Sequence, residues 1–156
     1  VSARDATYLN GARIFKTADD DRRENDVAGE LARAWGCTLR SFSWLSPVDW
    51  WAERDGRIVG LLELKCRTCS SSTYPTVFLS LRKWLALTLA SLALDVPGLF
   101  VVRFTDGVWW VPVARVDARA IRVAGRAVVR QPADVEPLID VPVASMARLE
   151  LEGELW

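Results

Sequence analysis

One segment constrains the fold more than any other. Ile58 to Leu64 is almost wholly apolar and follows Asp55-Gly56, a dipeptide that closes tight hairpins because both residues tolerate a positive φ. A run this short and this apolar reads as part of a strand, Arg57 to Cys66, that is buried on both faces. It carries one carboxylate, Glu63, with Lys65 two residues on. Charges inside such a strand are costly unless they are paired or used.

The neighbouring elements follow from local signals. A helix is expected from about Arg22 to Trp35, with Asp20 or Asp21 as N-cap and Gly36 as the stop. Its apolar stripe is Val27, Leu31, Ala34 and Trp35. Glu24 falls on the inward face and Glu30 faces solvent. Cys37 to Leu45 and Pro47 to Glu53 read as strands that precede the buried one. Cys69 to Pro75 is a loop. A second helix is expected from Thr76 to Leu94, apolar on nearly every side and so packed on two faces. Leu99 to Thr105 and Val108 to Ala114 form a hairpin around Asp106-Gly107. Beyond Arg115 come short strands and turns. Ile121 to Gly125 is expected to pair with Ala127 to Arg130, and Leu149 to Trp156 is a short strand or a tail.

The 156 residues, 51% hydrophobic and 26% charged, suit one globular domain over 1–156. It divides into an arm (1–21), a core (22–114) and an extension (115–156).

The chain has no histidine. That excludes Ser-His-Asp and Cys-His catalysis and any histidine general base. Catalysis must therefore run on carboxylates, lysine, cysteine, hydroxyls or a metal held by oxygen. Three cysteines, Cys37, Cys66 and Cys69, are too few for a structural zinc without histidine, and they read as reduced thiols. The 20 basic and 20 acidic residues cancel, so any nucleic-acid binding must use a local patch. No signal peptide is visible, and the longest apolar stretch, Trp84 to Leu94, is too short for a bilayer, which takes about 20 residues. A cytoplasmic protein without a membrane partner is expected.

Pro47-Val48-Asp49, thirteen residues, then Glu63-Leu64-Lys65 is the pattern that carries chemistry. Glu63 and Lys65 share a face of one strand. Asp49 lies on the partner strand, and its face depends on the turn. A two-residue loop at Asp55-Gly56 puts Asp49 opposite Leu62, on the wrong face. A three-residue loop, or a bulge elsewhere in the hairpin, restores it to the face of Glu63. Two adjacent carboxylates make a hard oxygen site suited to Mg²⁺, which polarises a phosphodiester and acidifies a bound water. A lysine amine beside it orients that water, and unlike arginine it can release a proton.

These residues resemble the PD-(D/E)XK nuclease superfamily, with Pro47-Val48-Asp49 as the first half-motif and Glu63-Leu64-Lys65 as the second. The resemblance covers about residues 22 to 114, and the chain is similar to small nucleases of phages and prophages. The first half-motif departs from the pattern in lacking the Pro-Asp doublet. The resemblance implies an α/β, restriction-endonuclease-like core in α-β-β-β-α-β order. A mixed central sheet of about five strands is flanked by helices, and a short β-rich C-terminal extension follows. It also implies Mg²⁺, with Mn²⁺ as a substitute, on Asp49, Glu63 and the Leu64 carbonyl, with Glu24 as a third or outer ligand. Lys65 is then the water-activating group and Lys83, on the second helix, assists at the phosphate. Two of only three lysines in the chain thus fall on these positions. The expected product is a cut DNA strand with a 5′-phosphate.

For DNA contacts the candidates are Arg22, Arg23, Arg67 and Arg82, with Arg40 as a further cation, and Trp50 and Trp51 beside Asp49. Two rivals remain. One is a junction resolvase of the same fold acting as a homodimer. The other is an inactive module that binds nucleic acid or another phage protein.

Overall fold

The structure is a computed structural model that describes residues 8–9, 12–13, 17–43, 46–125 and 135–150. In chain order the elements are β1 (Tyr8–Leu9), β2 (Ala12–Arg13), α1 (Ala18–Trp35), β3 (Thr38–Ser41), β4 (Trp50–Arg54), β5 (Arg57–Cys66) and β6 (Thr76–Ser80). Then follow α2 (Leu81–Leu94), β7 (Gly98–Phe104), β8 (Gly107–Pro112), β9 (Ile121–Gly125), β10 (Val135–Pro142) and β11 (Ala147–Arg148). Among the described residues no helix is long and apolar enough to cross a membrane.

The main sheet is mixed and runs β11-β8-β7-β5-β4-β3. Its strands pair antiparallel except for β5 and β7, which run parallel. It has six strands, one more than expected, because β11 returns from the C-terminal segment to pair with β8. The apolar run of β5 lies in the middle of this sheet, and Leu61, Leu62 and Leu64 are buried. On one face, α1 packs its Val27, Ala28, Leu31 and Trp35 against Trp50, Leu62, Leu64, Leu99 and Val101. The other face carries α2 and a second, antiparallel sheet, β6-β10-β9, gathered around Leu61, Phe100 and Val102.

Several boundaries differ from expectation, each for a local reason. Thr17, rather than Asp20 or Asp21, caps α1: its hydroxyl accepts from the Asp20 N–H at 3.2 Å. Asp20 completes a capping box by accepting from the Thr17 N–H at 3.0 Å. The helix therefore begins at Ala18, four residues early, and ends as expected at Gly36 in the left-handed conformation.

Thr76 to Ser80 is a strand and not the first turn of a helix. Val77 and Leu79 are buried in alternation, as a β-branched and aromatic segment with a partner strand prefers. The partner is β10, registered from Leu138 opposite Ser80 to Pro142 opposite Thr76. α2 starts only at Leu81, and it is not packed on two faces. Leu87 is buried, while Leu85, Leu89 and Leu92 are exposed. β9 pairs with β10 and so has its partner at Val135–Pro142. Residues 127–130 lie outside the described residues, as does the tail from 151.

Gly98, at the start of β7, allows α2 to sit close. A Cβ there would lie 3.0 Å from Val113 Cγ2 and 3.2 Å from both Leu87 Cγ and Ser91 Cβ. This contact fixes the height of α2 over the sheet, and α2 carries Lys83.

Candidate active site

The hairpin between β4 and β5 sets the geometry. Asp55 (φ 51°) and Gly56 (φ 72°) form a two-residue turn that pairs Arg54 with Arg57. Continued without interruption, that register would place Asp49 opposite Leu62. The ladder instead pairs Glu53 with Ile58 and then Ala52 with Gly60, leaving Val59 as the extra residue of a bulge. Trp50 then faces Leu62, and the next step along the register brings Asp49 opposite Glu63. The bulge, and not a three-residue loop, puts the two carboxylates on one face.

Lys83, in the first turn of α2, reaches down between them. Its ammonium donates a short hydrogen bond to Asp49 Oδ1 and lies 3.0 Å from Glu63 Oε2. All three side chains are largely enclosed, with exposures of 19% for Lys83, 27% for Asp49 and 15% for Glu63. The contact to Glu63 is one of charge without hydrogen-bond alignment, so among the described residues the buried Oε2 has no hydrogen-bond partner. Burial, and then the Asp49 charge, push the Glu63 carboxyl well above its ordinary range, while Lys83 opposes them. Burial alone would lower the Lys83 ammonium, but the charges of Glu63 and Asp49 outweigh it and hold its pKa above the usual value.

Lys65 is engaged elsewhere. Its Nζ donates to the Phe78 carbonyl at 3.0 Å and sits 3.5 Å from the centroid of the Phe78 ring. The sequence gives no sign that Phe78 holds Lys65, because the Phe78 segment reads there as an apolar helix. Leu64, between Glu63 and Lys65, buries its side chain toward α1, which leaves only its carbonyl as a ligand.

Glu24 is not gathered with the pair. It sits on α1, on the opposite face of the sheet from Glu63, and among the described residues no three His, Cys, Asp or Glu side chains form a metal-holding group. Glu30, expected at the solvent face, pairs instead with Arg103 of β7.

The DNA candidates separate in the same way. Trp50 is 6% exposed and part of the core beneath α1, so it offers no surface to a base. Trp51 is half-buried against Phe42, with ring centroids 4.4 Å apart. Arg22 and Arg23 are exposed on α1, away from the carboxylates, and Arg22 lies 3.4 Å from Asp19. Arg40 is 3.3 Å from Glu53. Arg82 is exposed beside Lys83. Arg67 follows Lys65 off the end of β5 and lies 4.6 Å from the Phe78 ring. Among the described residues Cys66 and Cys69 form no disulfide.

The donor set suits a hard divalent cation. Two carboxylates converge, one keeps a buried oxygen without a hydrogen bond, and a cationic group lies between them. Mg²⁺ typically binds through one or two carboxylates and retains several waters, so a pair suffices.

A mixed sheet between helices, with opposed carboxylates and lysines on one face, defines a nuclease of the PD-(D/E)XK class. Residues 12–149 match the family model described as "Phage putative PDDEXK endonuclease", and the chain belongs to that family. In fold the chain is similar to Hjc, a Holliday junction resolvase from the archaeal hyperthermophile Archaeoglobus fulgidus. The two share 14% sequence identity at a TM-score of 0.55, over 88% of this chain and 93% of that one. No curated protein matches the chain.

Proposed function

We propose that this endonuclease hydrolyses DNA phosphodiesters with Mg²⁺, or Mn²⁺ in its place, held by Asp49, Glu63 and the Leu64 carbonyl. The carrying observation is the Lys83 ammonium lodged between two opposed, enclosed carboxylates: the site is electrostatically a seat for a cation. When bound, the metal neutralises the scissile phosphate and supplies a nucleophilic water at neutral pH.

The protein's own groups do the rest. Asp49 and Glu63 would hold the cation where the Lys83 ammonium now lies. Lys83 then turns its charge toward the phosphate and offsets the negative charge that builds during attack. Lys65, on the face of Glu63, orients the attacking water through Nζ, and the Phe78 carbonyl and ring hold the amine until then. Arg82 and Arg67 flank the site and take neighbouring phosphates. Arg22, Arg23 and Glu24, on the α1 side, stand outside this path.

The test is cleavage of supercoiled and linear DNA with Mg²⁺ or Mn²⁺, against EDTA and Glu63→Ala. Metal-dependent cutting that the variant lacks supports the reading. No cutting, with no heat of metal binding in calorimetry, would leave a binding module on a nuclease fold.

One observation favours a second reading, a resolvase of branched DNA. Leu85, Leu89 and Leu92 form an exposed apolar stripe on α2 at helical spacing, which suits a two-fold contact between copies of this chain. Sedimentation mass decides it: a monomer at micromolar concentration, with no preference for four-way junctions, removes it.

A further inference from the structure

A cavity of about 300 Å³ lies between the end of β5 and the β6–β10 pair, beside Lys65, and of its lining the proposed chemistry uses only Arg67 and Phe78. Arg67, Phe78, Arg122 and Asp140 line it, and Tyr74, 65% exposed, stands at its edge. Phe78 and Asp140 are register partners across the two strands. Arg122 grips Asp140 through two hydrogen bonds of 2.5 and 2.9 Å.

That bidentate pair engages the only carboxylate among the described residues of the lining. Arg67 makes no ion pair with any carboxylate among the described residues, and its guanidinium lies 4.6 Å from the Phe78 ring centroid. Lys65 Nζ lies 3.5 Å from the same ring. Phe78 thus joins the carboxylate site to the cavity, and the Arg67 guanidinium lies between that ring and the exposed Tyr74 side of the lining.

We propose that this groove holds one unpaired nucleotide of the substrate strand next to the scissile bond. Its base stacks on Tyr74, its phosphate lies on Arg67, and Phe78 forms the floor. The volume is at the small end for organic ligands, so it admits one nucleotide and no duplex. Aromatic rings set along a basic groove are the composition of single-strand sites, where any base can stack. A base held in a duplex must first leave its stack to enter, and an already unpaired base avoids that cost. The proposal rests on the nuclease reading and narrows its substrate to DNA with an unpaired nucleotide beside the cut, as at a gap or flap.

The experiment compares two probes of equal length at fixed salt, in EDTA so that nothing is cut. One is a full duplex. The other carries a gap that exposes a single unpaired 2-aminopurine. The wild-type chain should bind the gapped probe about tenfold tighter, which is about 1.4 kcal/mol, and should quench its fluorescence. Tyr74→Ala and Arg67→Ala should each bring the affinity ratio close to one, while Tyr74→Phe keeps it. Tyr74 is exposed, so its substitution leaves the core intact. Equal wild-type affinity for the two probes, or an unchanged ratio in Tyr74→Ala, would overturn the proposal. So would free 2-aminopurine nucleotide binding as tightly as the gapped DNA. Cutting is scored separately with Mg²⁺ restored. Cutting with a ratio of one removes the groove alone, and a site that never cuts removes the nuclease reading.

Discussion

Asp49 stands opposite Glu63 because Val59 is an extra residue in β5. The tight Asp55-Gly56 turn by itself would set the two carboxylates on opposite faces, and the bulge at Val59 corrects the phase. Since side chains alternate with a period of two, a slip of one residue moves a whole strand segment to the other face.

Deleting Val59 should therefore separate the pair while keeping the turn. Metal binding in calorimetry and DNA cutting should both be lost. Stability should fall by about 2–4 kcal/mol as charged groups turn toward the α1 core. Val59→Ala, which keeps the bulge, should retain metal binding. A deletion variant that still binds metal would show that the register does not position the site.

On the proposed reading Lys83 occupies the oxygens that a metal would take. Lys83→Met should bind Mn²⁺ several-fold tighter in calorimetry, because no ammonium has to be displaced. The same variant should cut at least about 100-fold more slowly, having lost a charge at the phosphate. Without metal its melting free energy should drop by about 2 kcal/mol, since two enclosed carboxylates lose their counter-charge. Weaker metal binding in this variant would mean that Lys83 supports the cation instead of standing in for it.

The raised pKa of Glu63 gives a pH signature. If Glu63 holds the metal as proposed, binding displaces a proton from this carboxyl, so metal affinity and cutting should rise with pH through its elevated pKa and then level off. Stability runs the other way. The folded chain holds the Glu63 proton more tightly than the unfolded chain does, so this group's contribution falls as pH rises from its ordinary value of 4.5 through the raised one. Lys83 contributes fully below its ordinary 10.5, and that contribution is lost as pH climbs through its own raised value. The measurement is the melting temperature of metal-free wild type minus that of Glu63→Gln across pH 4 to 9, in steps of about one unit. The difference should decline with rising pH, and a flat difference would contradict the assignment.

Gly98→Ala tests how α2 is held. The added methyl meets Val113, Leu87 and Ser91 at 3.0 to 3.2 Å, and overpacking of this kind costs about 1–3 kcal/mol. Because α2 carries Lys83, cutting should fall along with stability in thermal melts. An unchanged melting temperature would mean that the helix rides up freely.

Much of this was legible in the sequence wherever local chemistry decides. β5, the Gly36 stop and the β7–β8 hairpin follow from apolar runs and turn residues. The gathering of Asp49, Glu63 and Lys83 follows from motif spacing, given one extra residue in the hairpin. What was not legible depends on distant partners. Thr76 to Ser80 reads as helix until β10 is present to pair with it. Trp50 and Trp51 look equivalent until the bulge decides which one lies under α1. Glu24 is half-buried on α1, but that helix covers the other side of the sheet. The hold of Phe78 on Lys65 requires both β6 and β5, so neither segment alone reveals it.

The pairing of Ser80 with Leu138, 58 residues later, also has a consequence in time. A ribosome adding about 5–20 residues per second needs about 3–12 s to cross that interval. The carboxylate hairpin closes through neighbours as soon as it emerges, whereas β6, and with it the resting place of Lys65, waits for the last third of the chain. The cutting centre is thus completed late in translation, and a chain stalled before residue 135 carries the acidic pair without a finished lysine seat.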